Sequence, residues 1–230
     1  MRKISKPEQA DIAVADALEP IRNSRPIRAL GTLSEVADQP PLISICAATL
    51  VVGLLLRNRK LAYVGGRMLA AELVSTKLKT LVKDRVDRTR PATVADGHAY
   101  KAEAGNTRTS DYSSFPSGHS AGAITVARSI ARVYPEHAFA SYATAAAIGA
   151  IQVPRSKHYV TDVAAGFVVG LVGEQMVALA DGLVRRLMAP APAAIVATVE
   201  VGDGVVIAPE IATPAAPVAL AWPGIHAEAG

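Results

Sequence analysis

The chain has 230 residues and a mean hydropathy of +0.27, and half of its residues are apolar. This length allows one domain of ordinary size with terminal extensions. The single cysteine, Cys46, excludes an intrachain disulfide and a cysteine-based zinc site. Low aromatic content (4%) and the lack of a recognisable nucleic-acid-binding motif argue against a nucleic-acid partner.

The net charge of +4 is unevenly distributed along the chain. Residues 1–40 hold six Lys/Arg and six Asp/Glu, whereas residues 41–188 hold eighteen Lys/Arg against ten Asp/Glu. Residues 189–230 hold no Lys or Arg and four acids. The basic surplus therefore lies in the apolar centre, where it suits anionic lipid or a phosphorylated substrate.

The first segment, residues 1–40, is predicted to be an N-terminal surface arm. It lacks the signal-peptide pattern of charged residues followed by an apolar run, because the first long apolar run begins only near Leu42. Residues 11–18 are consistent with a short amphipathic helix, and prolines interrupt the remainder. We expect this arm to lie on the surface or to be partly ordered.

The central segment opens with an apolar run over residues 42–56, which predicts a first membrane-spanning helix. A second helix is predicted over residues 61–90, where Pro91 ends it. Charged residues on this second helix are expected to face a bundle interior or a polar cavity, since lipid exposure would be costly. They are Arg67, Glu72, Lys77, Lys79 and Lys83.

Three further helices are predicted, over residues 117–133, 137–153 and 158–187, after an exposed polar loop at 92–115. Together these elements predict an all-α, integral-membrane bundle of about five spanning helices over residues 41–188.

The loops of this predicted bundle divide by charge. The basic turns at 57–60, 132–137 and 185–186 fall on one side, which the positive-inside rule makes cytoplasmic. The loops at 91–117 and 154–158 then share the outer side. Residues 189–230 form an Ala/Val/Pro-rich tail, for which disorder is predicted despite strand-like content at 196–207.

The start of the third helix is a candidate anion site. Ser117 is a suitable N-cap, and a helix N-terminus offers unpaired N–H groups and a positive dipole end. Gly118 allows close approach of the backbone to an anion, and His119 lies in the first turn. The alternative is an ordinary capped helix.

A second candidate element is the pair Lys83 and Arg90. These residues are seven apart, so on one helix they share a face and could together grip phosphate oxygens. The alternative is a basic interfacial face, because Arg85 and Arg88 are also basic.

A third element is formed by His158 and Asp162, four residues apart and thus neighbours on one helix face. A carboxylate behind an imidazole fixes its tautomer and raises its nucleophilicity. Arg155 and Lys157 add positive charge upstream. The alternative is a surface histidine beside a helix-start aspartate.

The three elements, in this order and in an apolar context, resemble the type 2 phosphatidic acid phosphatase (PAP2) superfamily over roughly residues 60–170. The matching motifs are Lys83-x6-Arg90-Pro91, Pro116-Ser117-Gly118-His119 and His158-x3-Asp162. The resemblance implies an all-α bundle that hydrolyses phosphoesters through a phosphohistidine, with no metal and no cofactor.

The resemblance also implies a role for each motif residue. His158 would be the nucleophile, Asp162 would orient it, and His119 would be the general acid that protonates the leaving oxygen. The phosphoryl oxygens would be held by Lys83, Arg90, Ser117 and the N–H of Gly118.

One departure from the family pattern concerns its third motif, which usually has Ser-Arg ending six residues before the histidine. Here Ile151 and Gln152 occupy those positions. Arg155, three residues before His158, is predicted to take over the missing phosphate contact.

The sequence thus predicts an integral-membrane phosphatase of a lipid phosphate or pyrophosphate, of the phosphatidate, phosphatidylglycerol phosphate or prenyl pyrophosphate type. Its expected location is a bacterial inner membrane, with the active site on the outer face and membrane lipids as surroundings. Two alternatives remain: a phosphatase or phosphotransferase acting on a non-lipid phosphoester, and a non-catalytic lipid-binding membrane protein. The sequence predicts neither the particular lipid nor the oligomeric state.

Overall fold

The computed structural model describes residues 4–107, 109–189, 196–201 and 204–209. Its helices and strands follow in this order: α1 Lys6–Leu18, α2 Arg25–Ser34, α3 Gln39–Leu55, α4 Arg59–Lys83, β1 Val86–Arg88, α5 Pro91–Ala95, β2 Ala102–Ala104, α6 Gly118–Val133, α7 Ala138–Ile151, α8 Val160–Met188, β3 Val196–Val201 and β4 Gly204–Pro209. The chain forms two compact units, one ending at Val184 and the other beginning at Arg185. The first unit carries the candidate site.

The predicted all-α architecture is confirmed. Four of the five predicted membrane helices occur with bounds close to those expected, as α3, α6, α7 and α8. The N-cap predicted at Ser117 is also confirmed, because its side chain accepts a hydrogen bond from the Ser120 N–H at 3.4 Å.

The second predicted helix is wrong at its C-terminal end. α4 stops at Lys83, and β1 then pairs antiparallel with β2, with Asp87 opposite Glu103. Tertiary contacts divert the chain here: the Asp87 carboxylate accepts hydrogen bonds from the backbone and hydroxyl of Thr107 at 2.8 and 2.6 Å. Arg90 therefore lies beyond the helix, and the predicted shared helix face of Lys83 and Arg90 does not exist.

Close backbone contacts hold the start of α8 against α6. A Cβ atom at Gly166 would lie 2.4 Å from the carbonyl oxygen of Ser117, and one at Gly170 would lie 2.3 Å from that of Ala121. Only glycine allows helices to approach this closely. The first turns of α6 and α8, which carry two of the sequence motifs, are thus adjacent.

The bundle interior is charged as well as apolar. Glu174 of α8 is fully buried and forms ion pairs with Arg67, and with Arg128 and Arg132 at 2.8 Å each. The predicted inward orientation is confirmed for Arg67 and Glu72, which are 7% and 3% exposed. Lys77 differs from the prediction, because it is exposed.

The loops group at the two ends of the bundle as expected. The Lys60 ammonium lies 3.9 Å from a Glu136 carboxylate oxygen and 4.3 Å from the centre of the Tyr134 ring, which joins the turns at 57–60 and 132–137. At the other end, the Ala92 N–H donates to the Ser156 carbonyl at 2.9 Å. The cytoplasmic assignment of the basic end stays a prediction.

Within the described residues, one helix, α8, is long and apolar enough to cross a membrane. The helical segment 25–37 and α3, bent by 54°, would make a second span if the pair is counted as one. Helix length and composition therefore do not confirm the predicted count of five spans.

The two terminal segments are partly described. The N-terminal arm forms α1 and α2, and the tail contains an antiparallel hairpin of β3 and β4 in which Val199 pairs with Val206. This hairpin covers the strand-like residues of the tail. Most of the remaining tail lies outside the described residues, so its disorder and the three-part domain division stay predictions.

Candidate active site

The nucleophile predicted by the third motif, His158, lies in the loop between α7 and α8. Its side chain is almost fully buried, and its Nδ1 lies 2.7 Å from the backbone carbonyl oxygen of Ser114. A carbonyl only accepts hydrogen bonds, so Nδ1 carries the proton and Nε2 has a free lone pair. The ring is therefore held in the tautomer that leaves Nε2 unprotonated, as a nucleophile would require.

Burial lowers the pKa of His158 well below its usual value, and the positive charges of Arg90 and Lys83 lower it further. Each of these effects disfavours the charged imidazolium. His158 is thus neutral at physiological pH and keeps the lone pair that attack on phosphorus requires.

Asp162 does not contact His158 in the way the sequence predicted. His158 precedes α8, so the two residues do not share a helix face, and the carboxylate lies 3.9 Å from Nδ1. Asp162 instead accepts hydrogen bonds from the Ser114 hydroxyl at 2.5 Å and from the Tyr159 N–H at 2.9 Å. It thus contacts Ser114, whose backbone carbonyl oxygen holds the ring, and its role in orienting His158 stays a prediction.

Two residues that the sequence reasoning missed complete this side of the site. Arg88 donates to Asp162 at 2.5 Å and to Asp11 of α1 at 2.8 Å, and all three side chains are buried. The sequence indicates Arg88 only as part of a basic face. Nothing local in the sequence points to Asp11, because its partner is 77 residues away.

Lys83 and Arg90 converge beside His158, although by a different backbone route from the one predicted. The Lys83 ammonium donates to the Ser113 carbonyl at 2.6 Å, and Arg90 contacts the same oxygen at 3.5 Å. Arg90 also donates to the Ser110 carbonyl at 2.6 Å. Two cations next to a neutral imidazole form a setting in which phosphoryl oxygens can be held.

The N-terminus of α6 borders the same region. Ser117 is fully buried, and its N–H donates to the backbone carbonyl oxygen of Asp162 at 3.0 Å. A Cβ atom at Gly118 would lie 3.5 Å from the ammonium nitrogen of Lys79, a cation that the sequence reasoning did not assign to the site. The signal for Lys79 was available, because it lies four residues before Lys83 on α4.

His119, the predicted general acid, contacts a residue of the N-terminal arm. Its Nε2 lies 3.3 Å from the carboxylate of Glu35, in the short 3-10 turn Glu35–Ala37 that precedes α3. Glu35 is a further site residue that the sequence reasoning missed. Its position far from the motifs in the sequence offered no signal.

Arg155 is held on the His119 side of the site. It donates to the Ser34 hydroxyl at 2.9 Å and to the Glu35 carboxylate. Gln152 is fully buried and donates to the same Ser34 hydroxyl at 3.1 Å. The Arg155 guanidinium is thus bound by Ser34 and Glu35 of the N-terminal arm. The phosphate contact predicted for it stays a prediction.

The described part of the chain contains no group of three or more His, Cys, Asp or Glu side chains arranged to hold a metal ion. The site combines imidazoles, cations, carboxylates and the N-terminus of α6.

Comparison with known proteins places this arrangement in a family. The sequence model of the PAP2 superfamily matches residues 60–180, more than half of the chain. The chain belongs to the PAP2 superfamily. The matched segment contains all three motifs, from Lys83 to Asp162, whereas Asp11 and Glu35 precede it. The protein is thus a PAP2 superfamily phosphatase.

A solved structure shares the fold. The crystal structure of a transmembrane PAP2 type phosphatidylglycerolphosphate phosphatase from Bacillus subtilis matches with a TM-score of 0.53 and 23% sequence identity. The match covers 78% of this chain and 88% of that chain. A search of curated proteins found no match.

Proposed function

We propose that this PAP2 phosphatase hydrolyses a phosphorylated lipid through a phosphohistidine on His158. The observation that supports the chemistry best is the contact between Nδ1 of His158 and the Ser114 carbonyl at 2.7 Å. It leaves Nε2 as the reactive nitrogen, beside the cations Lys83 and Arg90. Phosphoryl transfer depends chiefly on such positioning and charge stabilisation.

The reaction has two steps. In the first, the Nε2 lone pair of His158 forms a bond to phosphorus while the bond to the leaving oxygen breaks, and that oxygen takes a proton from His119. In the second, water attacks phosphorus and gives its proton to His119, and the P–N bond returns its electrons to His158. Lys83, Arg90, the Ser117 side chain and the N–H of Gly118 at the start of α6 stabilise the phosphoryl oxygens in both steps.

An apolar cavity next to the site supports a lipid substrate. It has a volume of about 300 Å³ and is lined by α6, α7 and the segment that leads into α3, including Val36 and Ala37 next to Glu35. Three of its lining residues, Ala123, Ala127 and Ile130, follow His119 by four, eight and eleven residues and so lie below it on one face of α6. This stripe is about 16 Å long, given the rise of an α-helix. A hydrocarbon chain would fit there with its phosphate beside His119.

The site's place in the membrane follows from the same proposal. α8 is apolar enough to cross a membrane, and Asp162, in its first turn, lies at the end that carries the loops predicted to face outward. We therefore place the active site at the outer face of a bacterial inner membrane. Phosphatidylglycerol phosphate, the substrate in the name of the Bacillus subtilis structure, is the first lipid to test.

The experiment is a phosphate-release screen on purified protein in detergent, with chelator present. The substrates are phosphatidylglycerol phosphate, phosphatidate and a prenyl pyrophosphate, with glycerol phosphate as the water-soluble comparison. We expect kcat/KM for at least one lipid to exceed that for glycerol phosphate by roughly tenfold or more, with inhibition by vanadate. Equal rates on glycerol phosphate would favour the non-lipid alternative, and a folded protein inactive on all four would favour the non-catalytic one.

A further inference from the structure

We propose that Glu35 is a positioning residue, which orients His119 to donate its proton to the leaving oxygen. The inference rests on the proposed function and extends it to a residue of the N-terminal arm. Glu35 precedes the segment that matches the PAP2 superfamily, so this role belongs to the arm of this chain.

The hydrogen bond between the two side chains has only one possible direction. Nε2 of His119 lies 3.3 Å from a carboxylate oxygen of Glu35, and an ionised carboxylate accepts but does not donate. Nε2 therefore carries a proton, and Nδ1 is the nitrogen that exchanges protons with the substrate. A carboxylate on the far nitrogen fixes the ring orientation, as it does in other histidine-based sites.

A bare carboxylate would repel a phosphate, but Glu35 is neutralised by Arg155. Arg155 binds the other carboxylate oxygen and is itself held by the Ser34 hydroxyl. It also lies directly over Gly31 of α2, where a Cβ atom would approach its Nε to 2.6 Å. The arm thus presents an ion pair to His119, which orients the ring without adding net negative charge.

In this arrangement Arg155 neutralises Glu35, a role that fits its contacts better than direct binding of the phosphate. Its charge lies on the His119 side, where the leaving group departs, whereas Arg90 and Lys83 are the cations that act on His158. The two sides of the site therefore have separate supports: Ser114 and Asp162 for the nucleophile, and Glu35 and Arg155 for the acid.

The proton transfer balances as follows. The His119 imidazolium keeps Nε2–H on Glu35 and gives its Nδ1 proton to the leaving oxygen, which has received the electron pair of the broken P–O bond. His119 ends neutral, with its remaining proton still donated to Glu35. In the second step Nδ1 takes the proton from the attacking water.

The test is Glu35→Gln, measured by the pre-steady-state burst of leaving-group release on two substrates. Phosphatidate has a poor alkoxide leaving group that needs a proton, whereas p-nitrophenyl phosphate has a good one that does not. We expect the burst rate to fall roughly ten- to hundredfold on phosphatidate and less than about threefold on p-nitrophenyl phosphate. An equal fall on both substrates would overturn the proposal, because a general structural defect does not depend on the leaving group.

A second measurement places Glu35→Gln in the His119→Ala background. If Glu35 acts through His119, the double variant has the burst rate of His119→Ala alone on phosphatidate. A further loss of the same size as in the wild-type background would contradict the proposal.

The matched control is Glu19→Gln in the same arm, an exposed carboxylate paired with Arg22 at 3.6 Å, which we expect to leave both burst rates unchanged. A wild-type protein that releases neither leaving group would instead overturn the proposed function, and the role of Glu35 with it. An active wild type with an unselective Glu35→Gln effect overturns the role of Glu35 alone.

Discussion

At the scale of single residues, a backbone carbonyl fixes the orientation of the His158 imidazole. The Ser114 oxygen holds Nδ1–H, and the Asp162 carboxylate holds Ser114 by its hydroxyl. The motif suggests Asp162 as a direct partner of His158, but the carboxylate hydrogen-bonds to Ser114, which in turn holds the imidazole. This difference has a measurable consequence for the Asp162 variants.

The first prediction concerns Asp162→Asn, which keeps the side-chain volume. Asp162 accepts hydrogen bonds from Arg88, from the Ser114 hydroxyl and from the Tyr159 N–H, and an amide has one fewer accepting atom. We expect kcat to fall by roughly 10²-fold, as on loss of a group that orients a catalytic histidine. Ser114→Ala should reproduce part of that fall. An Asp162→Asn variant with normal kcat would show that Ser114 needs no support from this carboxylate.

The second prediction is a pH dependence. Burial and the charges of Arg90 and Lys83 hold the pKa of His158 well below its usual value, so it takes up a proton only at a pH lower than the ~6.5 of an ordinary histidine. The acidic limb of the kcat/KM profile should therefore lie below that pH. Lys83→Met removes one positive charge and should move this limb to higher pH, despite its lower rate. A limb at the same or a lower pH would show that the charge of Lys83 does not lower the pKa of His158.

The same shift predicts the sign of a stability change. In the unfolded chain His158 takes up a proton near pH 6.5, whereas in the folded protein it does so only at lower pH. The unfolded state then binds more protons in this window, so the free energy of unfolding contributed by His158 decreases as pH falls below about 6.5. His158→Gln should flatten this dependence in thermal unfolding measured from pH 7 to pH 5, and an unaltered slope would contradict it.

At the scale of secondary-structure elements, the site depends on the contact between the first turns of α6 and α8. Gly166→Ala would place a Cβ atom 2.4 Å from the Ser117 carbonyl, so the two helix starts must separate. We expect a lower thermal midpoint and a lower kcat together. The matched control is Gly182→Ala, also on α8, where a Cβ atom meets nothing within 4 Å. There alanine should be neutral or slightly stabilising, since it favours the helix.

The end of α4 shows which part of an element was predictable. Apolar patterning and proline positions sufficed for α3, α6, α7 and α8, because those signals are local. The end of α4 at Lys83 was not predictable from local signals, because it depends on a contact of Arg88 with Asp162, which is 74 residues away in the sequence. Removing Arg88 would leave the buried carboxylates of Asp162 and Asp11 without their cation, at a cost of about 3–5 kcal/mol.

At the scale of the whole molecule, the motif residues are only the central part of the site. The three motifs correctly indicated Lys83, Arg90, the start of α6 and His158 as neighbours, since their order and spacing carry that information. The arm that precedes them supplies Asp11 to one side and Glu35 to the other. Those two carboxylates lie in a segment with no motif, so only the folded chain brings them to the site.

Covalent catalysis at His158 is tested by identifying the residue on which phosphate is trapped. The His119→Ala variant should be mixed with p-nitrophenyl phosphate, whose leaving group needs no acid, and quenched within the burst. Without His119 to activate water, the phosphoenzyme should accumulate. We predict phosphate on His158 by peptide mass spectrometry, and none when His158→Ala is added. Phosphate on another residue, or equal labelling without His158, would contradict the account.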